Sequence, residues 1–127
     1  MFEAIGPINS GTTAGGAGTS TSNATSSIPV TGALIGFYIR YNDSPPAATT
    51  DVVISTSGGV LPNRTLYTIS NAATDGFFSV QSTVVSSANA AITNSYDEIP
   101  LIRDYLKVTV SQANDGDSVD VWAVIDV

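Results

Sequence analysis

The sequence predicts an all-β protein: an antiparallel β-sandwich or small barrel of about seven or eight strands behind an extended N-terminal arm. Three observations predict it. Short runs rich in β-branched and aromatic residues recur along residues 28–127, separated by Gly, Pro, Asn and Asp turn chemistry. No window sustains the apolar period of a helix. Residues 1–27 differ in composition from everything that follows. A chain of 127 residues fits one domain, read here as an arm over 1–27 and a sandwich over 28–127.

The arm comes first. Residues 11–27 contain only Gly, Ala, Thr, Ser and one Asn, too little apolar area to fold alone. Phe2, Ile5 and Ile8 stand in front of it, close to Pro7. That order suggests a tether with an apolar hook, ordered on docking.

The first strand covers residues 33–41, with Ile35, Phe37, Ile39 and Tyr41 on one face and Gly36, Tyr38 and Arg40 on the other. Asn42-Asp43-Ser44-Pro45-Pro46 ends it. Residues 51–55 form a short strand stopped by Gly58-Gly59. Residues 64–70 alternate, with Leu66 and Thr68 facing one way and Tyr67 and Ile69 the other. Asp75-Gly76 turns the chain into a strand over 77–84, and residues 97–105 have room for one helical turn. Over 105–111, Leu106, Val108 and Val110 point inward. Asn114-Asp115-Gly116-Asp117 is turn chemistry, and residues 118–127 return with Val119, Val121, Ala123 and Ile125 on one face. Asp120, Trp122, Val124 and Asp126 occupy the other face. These two strands are expected to pair as a hairpin.

Composition narrows the function. Cysteine and histidine are both absent, which removes thiolate nucleophiles, sulfur-type zinc sites and the commonest general base. No cofactor is expected. Four basic residues, Arg40, Arg64, Arg103 and Lys107, stand against 11 acidic ones, for a net charge of −7. Nucleic acid and anionic membranes are poor partners for such a chain. Charged residues make up 12%, against about 25% in ordinary globular domains. A surface of Ser, Thr, Asn and Gly suits a protein covered by neighbours or working outside a cell. The start lacks the basic and apolar regions of a secretory signal, and no apolar stretch is long enough for a membrane helix.

Carboxylate pairs are the remaining route to catalysis: Asp97-Glu98, Asp115 with Asp117, or Asp104 with Asp120. Acids in turns and on strand exteriors explain them more simply, and no enzyme is expected. Asn114, Asp115, Asp117 and Asp120 could offer oxygens to calcium if the loop of Asp43 or Asp51 meets their turn, although no EF-hand spacing is present. Trp122 and five tyrosines could make a sugar-stacking platform. Sequons at Asn23, Asn42 and Asn63 are what chance gives in so Asn-, Ser- and Thr-rich a chain.

Interface formation fits the pattern better. The strands around Tyr38 and Trp122 are apolar or aromatic on both faces, which implies burial on both. The expected contact residues are Phe2, Ile5 and Ile8 in the arm with Tyr38 and Trp122 on the sheet.

Residues 37–46 (FYIRYNDSPP), Thr50-Asp51-Val52, Arg64-Thr65-Leu66 and residues 70–76 (SNAATDG), with 104–110 (DYLKVTV) and 116–122 (GDSVDVW), resemble small virion-associated proteins of tailed bacteriophages. The resemblance spans about residues 28–127 and is one of pattern. It implies a capsid decoration, or cement, protein on the outer surface of the virion. It further implies the major capsid protein as partner and a homo-oligomer, with a trimer favoured. A tail, neck or head-fibre component, or a host-surface glycan-binding module, would share such a fold.

Overall fold

The computed structural model describes residues 1–43, 45–80, 82–85 and 91–127, with the backbone alone described over 82–85 and 91–97. Eleven strands and no helix occur among the described residues. In chain order the first six are β1 (Phe2–Asn9), β2 (Ser20–Thr25), β3 (Val30–Tyr41), β4 (Asp51–Thr56), β5 (Thr65–Ile69) and β6 (Gly76–Ser79). The rest are β7 (Ser82–Val85), β8 (Ala91–Asp97), β9 (Ile99–Asp104), β10 (Leu106–Ala113) and β11 (Val119–Asp126).

Nine of these strands build two antiparallel sheets packed face to face as a β-sandwich. One sheet runs β1-β11-β3, with β6 and β9 sharing the far edge of β3; the other runs β2-β10-β4-β5. β7 and β8 pair separately. The first sheet sends Leu34, Phe37, Ile39, Val121, Ala123 and Ile125 into the core. Val52, Ile54, Leu106, Val108 and Val110 meet them from the second. Alternation over Leu106–Val110 in β10 and Val121–Ile125 in β11 makes one side of each strand apolar, and that side turns inward.

Residues 1–27 are not a free arm. β1 pairs with β11 and β2 with β10, so the segment supplies the edge strand of both sheets. Hydroxyls compensate for its lack of apolar area. Thr21 Oγ1 donates to the Val110 carbonyl at 2.7 Å, Ser22 Oγ to Gly11 at 2.9 Å and Ser20 Oγ to Gly16 at 2.8 Å. Ser10, Thr13 and Ser20 are buried with their hydrogen bonds made.

The expected hairpin of β10 and β11 is also corrected, because these strands lie in different sheets. Alternation reports which face is buried and says nothing of which neighbour fills the ladder. With β2 and β4 flanking β10, and β1 and β3 flanking β11, neither strand has a free edge for the other. The turn at 114–118 therefore crosses from one sheet to the other.

Smaller departures follow from bulges. The register of β3 against β11 shifts between Gly36 and Leu34, so Leu34 takes the core position and Ile35 is only half-buried. A similar shift in β5 buries Leu66 while Tyr67 and Ile69 pair with Ile54 and Val52. The room for a helical turn at 97–105 is filled by β9, whose Leu101 is buried. The strand expected over 77–84 is divided into β6 and β7, and residue 81 lies outside the described residues.

Candidate functional site

The two outer faces of the sandwich differ in kind. On the four-stranded sheet, cross-strand pairing puts Thr25, Asn23, Lys107, Thr109, Ser55 and Thr68 outward, a surface of hydroxyls and amides. On the five-stranded sheet the outward rows of β1, β11, β3 and β6 bring Phe2, Val124, Trp122, Tyr38 and Phe77 onto one face. Phe2 is 70% exposed, Tyr38 44% and Phe77 48%.

These rings are held in place. Tyr38 and Trp122 are direct cross-strand partners and meet edge to face with centroids 5.8 Å apart. Arg40 lays its guanidinium 5.2 Å from the centre of the Trp122 ring. The ring of Phe77 rests on Gly36, where an added Cβ would come within 2.6 Å of its Cζ. On the other side a Cβ at Gly6 would stand 3.1 Å from Trp122 Cδ1. Two glycines inside strands, ordinarily unfavourable there, are what let the rings lie close to the backbone.

The charges of this face are paired within it. Asp120 accepts from Arg40 Nη2 at 2.6 Å, from Asn9 Nδ2 at 2.7 Å and from Asn42 Nδ2 at 3.1 Å. Burial alone would raise the Asp120 carboxyl, but these hydrogen bonds and the Arg40 charge outweigh it and hold the group below its ordinary value. Asp126 pairs with the N-terminal ammonium at 2.8 Å. The result is an aromatic, electrically compensated surface on a chain whose net charge is −7.

Of the five expected contact residues, Phe2, Tyr38 and Trp122 fall on this face. Ile5 and Ile8 do not. They sit opposite Ala123 and Val121 in the inward row of β1, Ile8 in the core and Ile5 packed against it. Gly6 and Pro7 stand between them opposite the single residue Trp122, and this bulge of one extra residue lets both isoleucines point inward despite their odd spacing. Phe77 and Arg40 were not singled out from the sequence. A Phe-Phe pair straight after Asp75-Gly76 was the available signal, since one ring of such a pair must face away from the core.

Asp104 and Asp120 belong to separate networks. Asp104 is fully buried and takes Arg64 Nη2 at 2.9 Å and Nη1 at 3.3 Å, whereas Asp120 belongs to the Arg40 network. Asp115 is exposed, Asp117 is buried, and the side chain of Asp97 lies outside the described residues. The loop of Asp43 does meet the 114–118 turn: Asn114 Nδ2 donates to Asp43 Oδ2 at 2.7 Å. Asp51 instead accepts from the Asn71 amide. Among the described residues no three acidic side chains gather as a metal centre would require. A groove of about 330 Å³ beside β1, lined by residues 5–9 and 25–28, has no ionisable side chain in its lining. Comparison with family models, curated proteins and solved structures finds no match to this chain.

Proposed function

We propose that this chain is a non-catalytic structural protein of a bacteriophage virion that decorates and stabilises the capsid exterior, docking through the outer face of its five-stranded sheet. One observation carries the docking face: Phe2, Tyr38, Phe77 and Trp122 share a surface whose charges are already paired, while the opposite surface is hydroxyl-rich. Burying such a face removes apolar area from water without stranding a charge. The resemblance of residues 28–127 to virion-associated proteins supplies the word capsid, with the major capsid protein as partner and a homo-oligomer, trimer favoured, as the bound form. Cement acts by linkage, because a protein that binds only the assembled lattice adds its binding free energy to the shell. Several copies joined together gain avidity.

The test is co-sedimentation with purified virions. The wild-type chain should pellet with them, and Tyr38→Ser/Trp122→Ser should bind at least tenfold more weakly while keeping its fold by circular dichroism. Equal binding by the folded double variant rejects the docking face. A wild-type chain that binds no virion rejects the capsid reading and leaves a tail, neck or fibre component, or a glycan-binding module, as its replacement.

A further inference from the structure

The end of the sandwich where residues 10–13, the β3–β4 connection and the 114–118 turn meet is organised around Asp117. Its backbone amide donates to Thr13 Oγ1 at 2.8 Å, and its carbonyl accepts from the Thr13 amide at 2.8 Å. Its carboxyl Oδ1 accepts from the Ser118 amide at 2.6 Å and the Asp43 amide at 3.1 Å. One residue thus fastens three segments, including the one that leads from β1 to β2. Yet Asp117 is only 2% exposed, and its second oxygen, Oδ2, is buried with no hydrogen-bond partner.

A buried, unpartnered carboxylate oxygen is costly, and its neighbours make it more so. From the β3–β4 connection comes Asp43, and from β3 comes Tyr41, whose own hydroxyl is buried and unpartnered. Asp75, in the β5–β6 connection, accepts from the Tyr41 amide at 2.8 Å. Asp115, two residues earlier in the turn, is exposed. None of these supplies positive charge, and Arg40 is engaged by Asp120 on the outer face. We propose that Asp117 carries a proton in the folded protein and acts as an acid-set latch, holding residues 10–13, and with them both edge strands, more firmly as the pH falls. Burial and the Asp43 charge raise its carboxyl above the ordinary 3.8, against the lowering effect of the two amide bonds, in keeping with that assignment.

The direction follows from linkage. A group that binds its proton more tightly when folded contributes stability in full below the unfolded value, and that contribution is lost as pH rises through the folded value. No histidine is present to add a titration of its own near neutrality. Thermal unfolding of the full chain, followed from about pH 7 down toward the ordinary carboxyl value, should show a midpoint that rises on acidification. In parallel, the Thr13 and Gly116 amides should gain hydrogen-exchange protection. Asp117→Asn keeps the Oδ1 acceptor and removes the charge; it should flatten the profile and melt higher than wild type at about pH 7. Asp43→Asn should shift the wild-type profile toward lower pH, and serves if Asp117→Asn does not fold. Profiles unchanged in the folded variants overturn the latch. So does a rise in the wild-type midpoint at about pH 7 on adding millimolar calcium chloride that matches the effect of acid, since it assigns the orphan oxygen to a cation.

Discussion

Asp104 and Asp120 show how one residue type comes to do two jobs. Asp104 is sealed at the junction of β9 with the loop before β5, and Arg64, which also donates to the Pro100 carbonyl at 2.9 Å, is its counter-ion. Arg64→Met should therefore cost about 3–5 kcal/mol, because it strands a buried charge; a urea midpoint that falls with an unchanged slope would record it. Asp120 lies on the surface side, with its carboxyl held below the ordinary 3.8 by its amide and guanidinium donors. Its contribution is present above the unfolded value and is lost as pH falls through the folded one. Asp120→Asn should accordingly lower stability at neutral pH and flatten the acid limb below about pH 4, read from melting curves. Gly36 gives a steric counterpart: a Cβ there would stand 2.5 Å from the Phe78 carbonyl and 2.6 Å from Phe77 Cζ. Gly36→Ala should cost about 1–3 kcal/mol and displace the Phe77 ring, visible in its aromatic NMR shifts. At this scale alternation alone made Trp122 and Val124 legible as outward. The importance of Phe77 and Arg40 was not legible, because it depends on which strands lie beside them.

Among the elements, β1 and β2 matter most and were least legible. Their sequence has the composition of a disordered tail, and composition cannot register the backbone ladders and hydroxyl bonds that order it. The rest of the chain reveals the need for them only indirectly, in that β10 and β11 are buried on inner faces yet each lacks a partner on one edge until residues 1–27 are counted. Deleting residues 1–27 would open one edge of each sheet and remove Ile5 and Ile8 from the core. The truncated chain should lose its cooperative thermal transition and aggregate. A truncated chain that melts cooperatively near the wild-type temperature would show that the edge strands are dispensable. The same counting explains the β10–β11 correction, since a turn sequence fixes local geometry and leaves open whether the chain stays in its sheet or crosses to the next.

The whole molecule is a sandwich with one aromatic face, one hydroxyl-rich face and few charges. The fold class was legible because period-two patterning survives in β4, β6 and most of β10 and β11, while strand order was not, because pairing is a long-range property. That asymmetry is the basis for regarding the protein as an attachment module. Hydroxyl-radical footprinting of the chain bound to virions, compared with the free chain, tests it most directly. Protection concentrated at Phe2, Tyr38, Phe77 and Trp122, with the Lys107 face still oxidised, is the expected result. Protection of the Lys107 face with Tyr38 and Trp122 still reactive would contradict the account.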